Sequence, residues 1–255
     1  MRKYFLVLLL FLVFSSDCQK KQKICPIFFP VQEKAKLTFI SYVANEKNDM
    51  LHPFEYFERQ YIYTDTVDHR LIHHYIERNK LSAFYTDDFC SIFHRTNVDL
   101  SAYAVSFGFQ YKDSVHFSYW KPVIKVNQGI GTSWNVKVDT VFEVMDNDGK
   151  EHFLQYNFNG VAEYKGQSKV IVPLDRLKQM DVMHVQWNKI KYFLYDQTDG
   201  DSLFVQEGNA SDYFDPQLGL IRSIFDYHIT LKGKPKEFRK STLELTSTYI
   251  PKTAN

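Results

Sequence analysis

Three histidines, His69, His73 and His74, are the densest group of metal-capable side chains in the sequence. On a helix, His69 and His73 would stand at i,i+4 on one face and could share an ion. On a strand they also share a face, but about 13 Å apart, too far for one metal. Arg70, Leu71 and Ile72 separate them, so the Glu of a His-Glu-x-x-His zinc site is missing, and polar strand or turn histidines are expected. Asp146 and Asp148 are spaced like the opening of a calcium-binding EF-hand loop. However, Glu151 stands where that loop needs Gly and Asn157 where it needs Glu. Asp146-Asn147-Asp148-Gly149-Lys150 reads instead as a hairpin turn, since Asp-Gly between alternating runs favours one. Asp87 and Asp88 are adjacent and would face opposite ways on a strand. No Gly-x-Ser-x-Gly elbow occurs, and Gly129-Ile130-Gly131-Thr132-Ser133-Trp134 lacks the third glycine and the lysine of a phosphate loop. No catalytic residue, metal ligand or cofactor is assigned, and an enzyme is not expected.

The cysteines carry different chemistry. Met1 to Asp17 has the order of an export signal: Arg2 and Lys3, the apolar run Tyr4 to Phe14, then Ser15-Ser16-Asp17 before Cys18. The run is too short to span a bilayer about 30 Å thick at ~1.5 Å per residue. Cleavage after residue 17 makes Cys18 the expected lipidation site, although Asp17 departs from the small residue usual before a lipidated cysteine. Cleavage after Cys18 is the other possibility. Residues 18–34 read as a polar, basic tether, with Gln19-Lys20-Lys21-Gln22-Lys23 suited to anionic headgroups. Cys25 and Cys90 remain as one possible disulfide in an oxidising compartment; the alternative is that Cys90 is a buried thiol. Export removes two basic residues and one acid, leaving 29 charges of each sign on 238 residues. A neutral chain is a poor partner for nucleic acid.

These residues must be positioned by sheet. Phe and Tyr number 22 and 17 against 10 Gly, a bias toward pleated, half-buried surfaces. Apolar and polar residues alternate along 35–43, 54–64, 102–111, 115–120, 134–144, 151–164, 168–173, 181–196, 203–208 and 237–249. Pro122 is expected to end one strand, Gly160 to mark a bulge and 174–178 to form a helical turn. Asp199-Gly200 repeats the Asp-Gly turn signal. Gly129 and Gly131 are read as turn glycines in a crossover to a second sheet region, with a possible subdivision near 122–133. The expected fold is therefore all-β over residues 35–255: a mostly antiparallel meander, a curved open sheet or half-barrel, with few short helices. Inward Phe107, Phe109, Phe142, Phe153 and Phe158 could line a ligand groove.

Two stretches carry a resemblance. Tyr213-Phe214-Asp215-Pro216-Gln217-Leu218-Gly219-Leu220-Ile221, running into 222–231, resembles the end of the last hairpin in exported bacterial lipoproteins of the LolA/LolB-like and DUF3108-like families. The apolar run ending in Gly129-Ile130-Gly131-Thr132-Ser133-Trp134 is similar to a strand start in the same proteins. The resemblance implies a sheet curled around an apolar groove. It leaves Pro216 and Gly219 a backbone role, making a turn. Together these readings predict an exported cell-envelope lipoprotein, periplasm-facing on the inner or outer membrane and held to membrane lipid through its acylated N-terminus. It would bind an apolar or glycan-like ligand or support envelope assembly. A structural or adhesive protein is the alternative, and a hydrolase a further one.

Overall fold

The computed structural model describes residue 30 and residues 32–67, 70–79, 89–95, 99–106, 117–125, 129–146 and 148–251. For 67, 70, 77–79, 89–95, 99–106 and 117–120 it describes the backbone alone. The signal segment, Cys18, Cys25, His69, Phe107 and Phe109 lie outside the described residues, as does the side chain of Cys90.

Twelve strands form one antiparallel sheet: β1 (Lys36–Ala44), β2 (Glu55–Val67), β3 (Arg70–Asn79), β4 (Phe89–Arg95), β5 (Asp99–Ser106), β6 (Phe117–Lys125), β7 (Ser133–Met145), β8 (Glu151–Val172), β9 (Lys178–Asp196), β10 (Asp201–Asp215), β11 (Gly219–Leu231) and β12 (Glu237–Tyr249). The order is β6-β5-β4-β3-β2-β1-β12-β11-β10-β9-β8-β7. The chain is thus two six-stranded meanders joined side by side through the β1–β12 ladder. The segment expected as a crossover to a second region, 122–133, instead links the two outermost strands of a single sheet.

Among the described residues those outer strands are not laddered to each other, so the sheet is open. It is nonetheless rolled. Tyr75 on β3 and Ile124 on β6 share a buried cluster with Trp134, Phe158, Trp187 and Phe214 from β7 to β10. Side chains from opposite ends of the strand order can meet only across a concave face. The Trp134 indole also donates to the Pro122 carbonyl at 3.1 Å, holding the start of β7 beside β6.

Period-two alternation drives this burial. Along β8, every even-numbered residue from His152 to Gly166 is buried, while the odd ones are exposed or intermediate. An irregularity at Gly160, where β9 places Lys189 at φ 54°, and a second at Gly166 (φ 88°) break the β8–β9 register. Beyond Gly166 the even-numbered positions still alternate inward, but they now face the other side of the sheet. Val170 and Val172 join a second cluster with Leu37, Phe39, Met180, Val182, Ile221 and Leu245. On β9, Met180 and Val182 belong to this second cluster, whereas Met183, Val185 and Trp187 belong to the first. Both faces of the sheet are therefore covered there, and the β8–β9 turn reaches β12 through Asp175 N–H to the Thr246 carbonyl, 2.9 Å.

Several sequence expectations are corrected. No helix occurs among the described residues, and 174–178 is a tight bend in which Asp175 takes φ 54°. Residues 168–173 are not a separate strand: 168–172 continue β8 past its bulge. Pro122 does not end β6. An irregularity opposite Leu100–Ser101 and an edge position accommodate a residue with no N–H to give. The strand reading of the histidine segment, by contrast, holds over 70–79, so His73 and His74 face opposite ways: His73 is buried and bonded to Thr64 Oγ1 at 2.7 Å, while His74 stacks on Tyr63 and meets Asp65 at 3.2 Å.

Candidate functional site

The concave face carries a charge pair within an aromatic lane. Trp187 lies between Ala162 on β8 and Ala210 on β10 in the register, so no large neighbour competes for the space of its indole. A Cβ built at Gly160 would lie 3.3 Å from Phe158, closer than most neighbours allow, and 3.5 Å from Trp187, an ordinary contact. Trp187 meets Trp134 edge-on at 6.2 Å. From Phe158 the lane continues to Tyr192 at 4.7 Å, then Phe225 at 6.4 Å and Tyr227 at 4.6 Å. Phe158 and Trp187 are fully buried, whereas Tyr192 and Phe225 are only partly so.

Asp212 sits in the inward register of β10, two residues from buried Ala210 and two from buried Phe214. Its Oδ2 accepts the Trp187 indole N–H at 3.0 Å, and its Oδ1 accepts the hydroxyl of Ser223, its cross-strand partner, at 2.6 Å. From β6, the Lys121 ammonium lies 4.3 Å from the Trp187 ring centroid and 5.1 Å from that of Phe158. Burial pushes the Lys121 pKa down, and the Asp212 charge pulls it partly back. Burial pushes Asp212 up, against the Ser223 hydrogen bond, the Lys121 charge, the Trp187 hydrogen bond and His184. On the opposite face, His184 stacks on Tyr213, its pKa lowered first by burial.

A second polar group closes the turns at the far end of β8. His152 Nδ1 meets Asp196 Oδ2 at 2.6 Å and Nε2 meets Asp146 Oδ2 at 3.2 Å. Burial disfavours the imidazolium, but its hydrogen bonds to Asp196 and Asp146 outweigh that and raise the pKa. Ligand atoms of His152, Asp196 and Asp199 come within 4.8 Å of one another, the spacing of a metal cluster. The donors are already engaged: Lys150 holds Asp199, and both ring nitrogens of His152 face carboxylates, Asp196 and Asp146. Asp196 Oδ1 also accepts the N–H groups of Thr198 and Asp199, and Asp146 Oδ1 those of Asp148 and Lys150. The group is an ion-paired staple between two Asp-Gly turns.

Of the expected groove residues, Phe158 is buried in the concave cluster and Phe142 packs against it half-buried. Phe153 lies on the other face, 44% exposed, because an odd position on this part of β8 points outward. Gly129, Gly131 and Gly219 all take positive φ, at 91°, 87° and 82°. Asp215 Oδ1 accepts the N–H groups of Gln217 and Leu218, so Pro216 sits within an aspartate-capped turn. That turn joins β10 to β11; the last hairpin is β11–β12. Sequence reasoning missed Lys121, Trp187 and Asp212. The available signal was a carboxylate at an inward position, in the alternation Ala210, Asp212, Phe214.

Fold and site define an all-β protein with an open, curved antiparallel sheet and a charged pair on its concave aromatic face. Neither the known protein families nor the curated proteins contain a match to the chain. Two solved structures align with most of the chain. One is described as an exported protein with a YmcC-like fold from Bacteroides fragilis, 11% identical, with a TM-score of 0.44 over 89% of this chain and 100% of that one. The other is a LolA superfamily protein from Nitrosomonas europaea, 9% identical, with a TM-score of 0.25 over 91% of this chain and 92% of that one.

Proposed function

We propose that this is an exported envelope protein, tethered to membrane lipid through acylated Cys18, whose concave face binds an apolar chain. The observation that carries the binding part is the aromatic lane from Trp134 to Phe225, which runs from buried rings to the half-buried Tyr192 and Phe225 on a sheet left open between β6 and β7. An open edge lets a curved sheet admit a guest without breaking a ladder. A chain laid on this lane would gain about 0.8 kcal/mol for each CH₂ taken out of water. The export signal read from residues 1–17 and the basic tether support the anchored location.

Binding is tested with the purified mature chain and the environment-sensitive dye N-phenyl-1-naphthylamine. Saturable fluorescence enhancement, displaced by long-chain alcohols and diminished by Phe225→Ala, is expected. No enhancement, or enhancement that alcohols leave untouched, rules the groove out. The anchor is tested separately by metabolic labelling with an alkyne fatty acid. Cys18→Ala should abolish the label, and an unlabelled parent chain would discard the tether.

A further inference from the structure

Lys121 is an unusual element in an apolar face. Its ammonium lies over two aromatic rings, and no hydrogen-bond acceptor for it occurs among the described residues. Its counter-charge, Asp212, already accepts two hydrogen bonds, from Trp187 and Ser223. An ammonium has three N–H donors, and a cation–π contact uses none of them as hydrogen bonds. The residue as a whole is half-buried despite its interior position. A cation with open donors, at the fully buried end of an aromatic lane, has the layout of a headgroup site: charge at one end and apolar surface leading away.

Building on the apolar-chain reading above, we infer that Lys121 selects single-chain amphiphiles with an anionic head, a carboxylate or a phosphate, and receives that head while the chain lies along Phe158, Tyr192 and Phe225. Charge-assisted N–H bonds to an oxyanion are about twice as strong as neutral ones, and stronger still away from bulk water. Asp212 opposes the anion electrostatically, and its engagement by Trp187 and Ser223 moderates that opposition. The site should therefore discriminate by head charge as well as by chain length.

The test compares three ligands of equal chain length, dodecanoic acid, dodecyl phosphate and dodecanol, by isothermal titration with the mature chain at about pH 8, where the acid is ionised. At least one of the two anions should bind about tenfold or more tighter than the alcohol. The better of the two identifies the head. Lys121→Met should remove that preference while leaving dodecanol affinity within about twofold. Asp212→Asn should strengthen anion binding, since it removes the opposing charge and can keep the Trp187 hydrogen bond. Far-UV circular dichroism confirms that each variant is folded, and the three-ligand comparison on the unaltered chain decides the matter even if a variant is not. Equal affinity for all three ligands overturns the inference and leaves the apolar groove standing. Failure of all three to bind overturns both.

Discussion

His152 shows how a buried titratable residue can serve structure alone. The ring and Asp196 are almost fully enclosed, with side-chain exposures of 6% and 3%. Its folded pKa is raised above the ordinary histidine value, so the imidazolium's contribution to stability is complete below the unfolded pKa, about 6.5. It is lost as pH climbs through the folded value. Asp146 and Asp199 run the other way. The backbone N–H of Lys150 lowers the pKa of Asp146, and the Lys150 side chain lowers that of Asp199. Their contributions are present above the unfolded carboxylate range and disappear as pH falls through the folded values. The staple is therefore strongest between the two ranges. Urea unfolding followed across mildly acidic to alkaline pH should show stability declining on the alkaline side, and His152→Leu should flatten that decline. The same substitution strands Asp196 and should cost about 2–3 kcal/mol near neutrality. A variant with an unchanged pH profile would mean that the ring is neutral in the native state.

At the scale of strands, glycine positions separate close packing from turn geometry. A Cβ on Gly208 in β10 would lie 2.1 Å from the Asp226 carbonyl oxygen and 2.7 Å from Tyr227 Cα, both backbone atoms of β11. Gly208→Ala must push the two strands apart, and a loss of about 3 kcal/mol or more is expected. Gly200, at φ 71° in the β9–β10 turn, has Tyr195 Oη at 3.7 Å as its near neighbour. Gly200→Ala meets backbone strain without a clash and should cost only about 1 kcal/mol. Gly219→Val combines positive φ with a β-branched side chain at the start of β11 and should fall between them, with ligand affinity intact in the folded fraction. Denaturant midpoints for the three variants test the ranking. Strand content was legible because alternation is a local property: Glu237–Tyr249 could be read directly, as could the inward set Val136, Val138, Thr140 and Phe142 of β7. The close approach at Gly208 and the change of face at Gly166 were not, since both depend on how neighbouring strands register. Pro122 misled for the same reason: its cost vanishes at an edge, and nothing nearby in sequence says that β6 is one.

In the whole molecule, among the described residues, the two meanders meet at the β1–β12 ladder, and the sheet's free edges come together through contacts such as Trp134 to Pro122. Local patterning can propose a curved sheet, but not which side chains the curvature brings together. Lys121 is 66 residues from Trp187 and 91 from Asp212 in sequence, and its place over the Trp187 ring exists only once β6 has rolled over the concave face. A guest that bridges β6 to β8 and β11 would join parts of the sheet that no ladder connects, so binding should register as global stability. Mass action sets the size: at a free concentration of 100 times Kd, a ligand adds about 2.7 kcal/mol. For a domain of this size, each kcal/mol moves Tm by about 2–4 °C, so a saturating anionic amphiphile should raise Tm by roughly 5–11 °C. Differential scanning fluorimetry at graded ligand concentration measures this, with intrinsic tryptophan emission as the signal so that no added dye competes for the groove. Lys121→Met should shift the dose curve to higher concentration with its logarithmic slope unchanged, because the apolar lane survives the substitution. A ligand that binds with the expected affinity yet leaves Tm unmoved would be bound outside the concave face, or equally well by the unfolded chain.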